Sequence, residues 1–425
     1  MKKFKVLIFP CGAENALEIY ESLKTNVSIE AIGASSVEDH GRYAFEQYIG
    51  GLPNISHPEF IDLFNTILGD WGIDLIFPTH DTVALFFSEN QHRIKATVIC
   101  SEYETSLYCR EKRRTYALFK DQPFVPRQID VQNGSVDYPV FVKPNIGEGA
   151  KNAALVADRA ALDFYRSSVP DLLVLEYLPG TELTVDCFTD RKGVLRFIGP
   201  RTRQRIKMGI SFHSDRYELT SEIKSIGDII NKKLKFRGLW FFQLRQDKSG
   251  KFKLLEISTR CAGTMSLYRQ LGVNFSLLSV FDAAGLDVEI LINDNHIELD
   301  RCLFARYRQD VKFRTLYIDF DDTVIINGRV NYLAIRLLYQ CIEQGKKITL
   351  ITRHEKDIYA TLKEMRISEY LFDEIICLKP EDSKGDHIHE ANAIFIDNAF
   401  KERKIVKEKL GIPVFDVDAI PSLIL

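Results

Sequence analysis

Over the first hundred residues, short apolar runs alternate with amphipathic stretches, and this alternation restricts the fold more than any other feature. Strands buried on both faces of a parallel sheet read as unbroken apolar runs, and the helices that cover them carry one apolar stripe. Strands are expected at residues 4–9, 29–33, 74–78 and 97–100, with helices at 14–23 and 58–68. The turn Pro10-Cys11-Gly12 follows the first strand, at the sheet edge where doubly wound folds bind ligands.

The texture then changes. A polar, Arg- and Lys-rich helix is expected at 108–120, and Pro123 and Pro126 lead into longer, alternating strands between 138 and 256. Turns at Asn133-Gly134, Pro179-Gly180 and Lys248-Ser249-Gly250 make this part α+β. Residues 274–286 read as a helix. Residues 293–314 are irregular and charged, and an apolar run at 315–318 opens a final stretch of alternating helix and strand. At 425 residues the chain exceeds one ordinary core, which argues for about two to four domains. The boundaries expected are 1–105 for a Rossmann-like domain, 106–300 for an α+β domain, 301–313 for a linker and 314–425 for a last α/β domain.

A hydrophobic share of 45% with 27% charged residues describes soluble, globular material. No apolar run reaches the roughly 20 residues of a membrane helix, and the start Met-Lys-Lys-Phe-Lys-Val breaks too early for a secretory signal. Eight scattered cysteines without a C-x-x-C pair suit reduced thiols. A cytoplasmic protein is expected, with no membrane partner. The net charge of -3 carries no signature of nucleic-acid binding, so any phosphate chemistry must rest on local charge.

Residues 139–151 put Lys143 at the end of an apolar strand, directly before a loop bearing Gly147 and Gly149. A lysine there meets phosphate oxygens as a point charge, and glycines let backbone N–H groups close on them. Residues 173–185 form a strand, a turn and a strand, with Glu176 and Glu182 on either side of the turn. A crossing strand can hydrogen-bond a flat base, and a carboxylate can accept from ribose hydroxyls. Farther on, Gln243 and Arg245 lie on one strand of a hairpin, and Glu256, Ser258 and Arg260 lie on and after the other. They offer oxygen ligands, which magnesium prefers, and an arginine for a phosphoryl group. Arg201, Arg203, Arg205 and Lys207 alternate like one face of a strand; Arg201 and Arg203 are the candidates for substrate or phosphate contact, against a solvated edge strand as the plain alternative.

This succession resembles the ATP-grasp superfamily, in the branch related to the carbamoyl-phosphate synthetase large subunit and biotin carboxylase, over roughly residues 1–300. The resemblance implies a Rossmann-like pre-ATP-grasp domain, an ATP-grasp domain, and ATP and Mg2+ as cofactors. By motif, Lys112 in Arg-Glu-Lys and Lys143 in Val-Lys-Pro become the nucleotide-phosphate lysines. Glu176, Tyr177 and Leu178 line the adenine, and Glu182 holds the ribose. Gln243, Glu256 and Ser258 become magnesium ligands, Arg260 stands beside the transferred phosphate, and His80-Asp81 lies at a strand end where family members meet substrate. Ser258 replaces an asparagine of the family pattern, and Asn152 replaces a frequent glycine. The family reaction phosphorylates a carboxylate with ATP, and a nucleophile, commonly an amine, then displaces phosphate.

Near the other end, Thr315-Leu-Tyr-Ile-Asp-Phe-Asp-Asp-Thr323 runs an apolar strand into acidic residues, with Asp319 and Asp321 aimed to one side by strand alternation. Neighbouring carboxylates repel unless a cation or proton separates them, which implies magnesium or acid/base chemistry. The segment resembles the D-x-D-x-T signature of haloacid-dehalogenase phosphatases, over about the last 110 residues. That resemblance implies an HAD-like Rossmannoid domain. Asp319 is its nucleophile and Asp321 its acid/base. Thr352 and Lys384 contact phosphate, with Lys379 as the alternative lysine, and Asp319, Asp321 and Asp397 hold magnesium. Asn398 stands where a second acid is common. A helix at 332–342 leaves no room for a cap between Thr323 and Thr352, so the site is expected to be open. His387 and His389 read as a surface pair rather than a metal site.

The function these pieces imply is bifunctional: a carboxylate-activating ligase fused to a magnesium-dependent phosphatase. Its partners are a small-molecule carboxylate and an amine, or a phosphorylated metabolite, with self-association into a homo-oligomer allowed. Two alternatives stand beside it: a kinase or carbamoyl-phosphate-like synthase with a phosphatase, and a protein with one module degenerate and kept as a ligand sensor or scaffold.

Overall fold

The computed structural model describes residues 3–131, 135–207, 209–303, 305–307 and 309–424, so the expected Asn133-Gly134 turn lies outside the described residues. The chain divides into two compact units, residues 1–303 and 304–425. Among the described residues no helix is long and apolar enough to cross a membrane.

Unit 1 opens with β1 (Phe4–Phe9), β2 (Ile29–Ala34), β3 (Gln47–Ile49), β4 (Leu75–Pro78) and β5 (Thr97–Val98), a parallel sheet in the order β3-β2-β1-β4-β5. Alternate residues of β1 serve opposite faces. Val6 and Ile8 pack with Ala16 and Ile19 of helix Glu14–Leu23, while Leu7 and Phe9 pack with Phe60, Phe64 and Phe87 of helices Phe60–Trp71 and Asp81–Glu89. Burial on both faces is why β1 is continuously apolar. β3 was not anticipated: its three half-buried residues at the sheet edge give no apolar run.

The helix expected at 108–120 is two helices, Tyr103–Arg110 and Lys112–Leu118, broken where Glu111 turns extended at φ -104 and ψ 104. The break rotates Lys112 into the interior, where its backbone N–H and side-chain Nζ both donate to the Asn145 carbonyl.

A three-stranded antiparallel sheet follows, β6 (Val140–Pro144) between β7 (Ala154–Val156) and β8 (Leu172–Glu176). Next come β9 (Glu182–Thr189), β10 (Leu195–Thr202), a short pair β11 (Arg205–Lys207) and β12 (Ile210–Asp215), then β13 (Gly238–Gln246), β14 (Phe252–Ser258) and β15 (Glu298–Asp300). β10-β9-β13-β14 form one antiparallel sheet, and β11-β12-β15 another. One face of the larger sheet packs Leu183, Val185, Trp240 and Phe242 against Ile223, Ile226 and Ile230 of helix Ser221–Lys233. Strand alternation therefore turns Glu182, Thr184 and Gln243 to the other face, where Gln243 stands opposite Thr184 on one side and Glu256 on the other.

Unit 2 contains β16 (Thr315–Ile318), the hairpin β17 (Ile325–Ile326) and β18 (Arg329–Val330), β19 (Lys347–Thr352), β20 (Glu374–Cys377), β21 (Ala393–Ile396) and β22 (Val414–Phe415). Its main sheet is parallel in the order β20-β19-β16-β21-β22. Leu316 and Ile318 pack against Leu337 and Leu338 of helix Tyr332–Glu343, and Tyr317 and Phe395 pack with Val406 of helix Phe400–Leu410. Helix Tyr332–Glu343 begins at Asn331, whose side chain accepts from the Leu333 and Ala334 N–H groups. The carboxyl ends of β16, β19 and β21 lie side by side, so Asp319, Thr352 and Asp397 come together from distant parts of the sequence.

Candidate functional site

Unit 1 holds a cavity of about 360 Å³ lined by Lys112, Lys143, Gly147, Gly149, Glu176, Tyr177, Leu178, Glu182, Arg203, Gln243, Arg245 and Glu256. Eleven of the fourteen unit 1 residues singled out from the sequence as cofactor, metal or catalytic positions share this one space; Arg201, Ser258 and Arg260 do not line it.

Lys112 and Lys143 are buried and, among the described residues, donate only to carbonyl oxygens: Lys112 Nζ to Asn145 at 3.4 Å, and Lys143 Nζ to Leu255 at 2.8 Å. Burial, followed by repulsion from Lys112, holds the Lys143 ammonium down at about 7, against the pull of Glu256 and Glu182. Two buried cations without a carboxylate partner among the described residues form a receptor for a polyanion. Glu182 is held between Arg203 Nε at 2.7 Å and Arg245 Nη1 at 3.4 Å, and Glu176 accepts from the Arg127 N–H at 2.7 Å.

The glycine loop is fastened from outside the cavity. Arg110 donates to the Gly147 carbonyl at 2.9 Å and to Glu148 at 3.0 Å, while His80 Nε2 lies 3.1 Å from the other Glu148 oxygen. Gly209, at φ +79, lies so close that a Cβ would sit 2.6 Å from the Ala150 nitrogen. Asn152 takes φ 59, a left-handed conformation that asparagine tolerates and that explains why it can replace a glycine.

Two of the expected site residues are drawn to Asp81 instead. The Ser258 hydroxyl donates to Asp81 at 2.6 Å. Arg260 Nε donates to the other Asp81 oxygen at 2.9 Å, so Asp81 gathers both residues. Burial alone would raise the Asp81 carboxyl, but Arg260 and the Ser258 hydroxyl hold it down to about 2. Sequence reasoning noticed His80-Asp81 yet missed these partners. Gln243 and Glu256 remain side by side as oxygen donors, a set that fits a hard dication such as magnesium.

Arg201 also departs from expectation. It is 1% exposed and bonds Asp186 through Nε at 2.7 Å and Nη2 at 3.1 Å. The basic run does not share a face, because β10 ends at Thr202 and β11 begins at Arg205. Arg203 reaches the cavity, whereas Arg205 pairs with exposed Asp300 at 2.5 Å.

In unit 2, Lys384 Nζ lies 2.6 Å from both Asp319 Oδ1 and Asp397 Oδ2, all three side chains being buried. Lys379 is exposed and donates its backbone N–H to Asp382, so Lys384 is the lysine at the carboxylates. Burial pushes the Asp319 carboxyl up to about 6, with Lys384 opposing and Asp397 adding to the rise. Beside them the Thr352 hydroxyl is buried and has no hydrogen-bond partner. A buried hydroxyl without a partner, next to carboxylates and an ammonium, fits a site for a phosphoryl group and its cation. Asn398 is exposed, and its backbone N–H donates to Thr323 Oγ1 at 3.2 Å.

Asp321 is placed differently from the expectation. β16 ends at Ile318, and the chain turns through Asp322 at φ 54, so strand alternation does not orient Asp321. Its carboxylate lies instead on His354 Nδ1, 3.0 Å from each oxygen. His354 was not anticipated; a histidine two residues beyond a strand end carries no motif. His387 is half-buried and His389 exposed, on either side of buried Ile388.

Residues 168–298 match the family model described as ATP-grasp in the biosynthetic pathway with Ter operon, a span holding Glu176, Glu182, Gln243 and Glu256. Among solved structures, one similar fold is the biotin carboxylase domain dimer of the Hydrogenobacter thermophilus 2-oxoglutarate carboxylase, in complex with MgADP, ADP and bicarbonate. Identity is 17% over 69% of this chain and 73% of that one, with TM-score 0.57. The L-amino acid ligase of Bacillus licheniformis gives 17% identity over 66% of this chain and 74% of that one, with TM-score 0.54. The N5-carboxyaminoimidazole synthetase of Staphylococcus aureus complexed with ADP gives 14% over 69% and 81%, with TM-score 0.57. At these identities the likeness is one of fold. Residues 168–298 thus match an ATP-grasp family model, and the fold of the chain is mixed α/β. A comparison with the curated proteins finds no match.

Proposed function

We propose that unit 1 binds ATP with magnesium and activates the carboxylate of a small molecule as an acyl phosphate, which an amine or similar nucleophile then attacks. The observation that carries this reading is the pair of buried ammonium groups, Lys112 and Lys143, turned into a cavity that also presents Gln243 and Glu256. The lysines neutralise and align phosphates, and the glycine loop covers them. Tyr177 and Leu178, just beyond the end of β8, offer backbone groups to the base, and Gln243 and Glu256 would hold magnesium. When bound, the ion spreads the charge of the transferred phosphoryl group. Incubating the protein with ATP, magnesium and a panel of carboxylates, then assaying released phosphate and new products, tests it. A ligase couples ATP loss to a new amide or similar bond, whereas a kinase or carbamoyl-phosphate-like synthase leaves a phosphorylated product.

Unit 2 is, in the same proposal, a magnesium-dependent phosphohydrolase working through an aspartyl-phosphate. Lys384 between Asp319 and Asp397, with the unpartnered Thr352 hydroxyl, supports it. Asp319 attacks phosphorus, Asp321 gives the leaving oxygen a proton and later draws one from water, and Lys384 with Thr352 binds the phosphoryl oxygens. Magnesium-dependent hydrolysis of an aryl phosphate that survives Asp319→Asn would rule this out. A cytoplasmic location belongs to the same reading, supported by eight free cysteines. The capture of Ser258 by Asp81 favours one second reading, in which unit 1 binds nucleotide without turnover as a sensor. It predicts ATP binding with no carboxylate-dependent phosphate release.

A further inference from the structure

We infer that His354 is the positioning residue of the unit 2 acid/base, fixing the carboxyl of Asp321 for proton delivery to the leaving group; this rests on the phosphohydrolase reading of Asp319 and Asp321. Asp321 needs such a partner. It sits on a turn rather than a strand, and its side chain is 53% exposed, so its carboxyl would otherwise rotate freely.

His354 is itself held on three sides. Its side chain is 11% exposed. Its ring meets Phe320 edge-on at 5.2 Å and 79°. Nε2 lies 2.8 Å from Thr361 Oγ1, whose own hydroxyl donates to the Asp357 carbonyl at 3.0 Å. Thr361 therefore accepts from Nε2–H, which fixes the ring in its plane and leaves Nδ1 facing Asp321. Contact with both Asp321 oxygens at 3.0 Å sets the plane of the carboxyl as well as its distance. Helix Ile358–Glu364 thus reaches through the imidazole to a residue on the turn after β16. Order passes from a packed helix to an exposed acid.

Leaving groups separate this role from a structural one. A nitrophenolate departs without a proton, whereas an alkoxide needs one. Two replacements separate the two ring nitrogens: His354→Asn keeps a polar atom near the Nδ1 position, and His354→Gln keeps one near Nε2. The full-length protein with magnesium is assayed on nitrophenyl phosphate and on an alkyl monophosphate, with melting temperature as a second readout. His354→Gln and His354→Ala should lose at least about tenfold in kcat/KM on the alkyl substrate, within the range a general acid supplies, and much less in kcat/KM on nitrophenyl phosphate, because that ratio covers the steps through departure of the leaving group and not the later attack of water that Asp321 also assists. His354→Asn should recover most of the alkyl activity while melting close to His354→Gln. Equal losses of kcat/KM on both substrates, or rescue by Gln rather than Asn, overturn the positioning role. A wild-type protein inactive on both, or activity surviving Asp319→Asn, overturns the phosphohydrolase reading and this inference with it.

Discussion

The Ser258 hydroxyl donates a 2.6 Å hydrogen bond to Asp81, joining the end of β14 to the start of helix Asp81–Glu89 across 177 positions of sequence. Arg260 completes the cluster through the other Asp81 oxygen at 2.9 Å. The residue that the sequence offers as a metal ligand is thereby part of a clamp between β14 and that helix. In the proposed function, Gln243 and Glu256 are left as the magnesium donors.

Breaking the clamp should cost stability. Asp81→Ala leaves Arg260 and the Ser258 hydroxyl without their acceptor, an expected loss of about 2–4 kcal/mol in denaturant unfolding. The pH dependence has a definite sign. Because the folded carboxyl is held at about 2, below the roughly 3.9 of an unfolded aspartate, its contribution is present above about pH 4. That contribution is lost as pH falls toward 2. Urea midpoints measured from pH 6 to pH 2.5 should fall more steeply in the wild type than in Asp81→Asn.

Lys143 predicts a protonation linkage. Burial and the neighbouring Lys112 hold its ammonium down at about 7, and phosphate oxygens favour the charged form. ATP binding should therefore take up a proton above pH 7, and affinity should weaken as pH rises beyond that value. Calorimetric titration at pH 8 in two buffers of different ionisation enthalpy checks this: the apparent binding enthalpies should differ by close to one proton's worth, and by much less in Lys143→Met.

Gly209 makes the glycine loop's close approach possible. Gly209→Ala meets both a φ of +79 and the Ala150 nitrogen, whereas Gly193→Ala meets a φ of +77 with nothing within 4 Å. Both should lose about 1–2 kcal/mol of stability from backbone strain. ATP affinity should drop about tenfold in Gly209→Ala alone, a difference of about 1.4 kcal/mol. Equal affinities in the two variants would sever the link between Gly209 and the loop.

Thr352 separates a structural hydroxyl from a functional one. A buried hydroxyl that holds the fold together costs stability when removed, but the Thr352 hydroxyl has no partner. Thr352→Val should unfold within about 0.5 kcal/mol of the wild type while slowing phosphate-ester hydrolysis by at least about tenfold. A destabilised, fully active variant would contradict its role.

Local patterns were legible in the sequence and long-range partnerships were not. Phe4–Phe9 and Lys347–Thr352 read directly as strands, because burial on both faces writes an apolar run. Most of the cavity lining was legible too, since Lys143 and Glu176 lie at the ends of apolar strands and Gln243 and Glu256 are polar residues within apolar ones. The break at Glu111 was hidden, because Lys112 goes inward to meet Asn145, a contact that helical periodicity does not encode. Arg201 was misread for a similar reason. Alternation describes a face only while the strand lasts, and Asp186, its partner, sits on a neighbouring strand. His354 and Asp81 act through partners 33 and 177 positions away, beyond the reach of any local pattern.

The most direct measurement is a calorimetric titration of the full-length protein with ATP and magnesium, beside Lys143→Ala and, as an exposed lysine in the other unit, Lys379→Ala. A charge-assisted contact contributes about 1.5–3 kcal/mol, so Lys143→Ala should bind about 10–100-fold more weakly while Lys379→Ala matches the wild type. Absence of saturable ATP binding by the wild type, or equal affinity in Lys143→Ala, would contradict the assignment of this cavity as the nucleotide site.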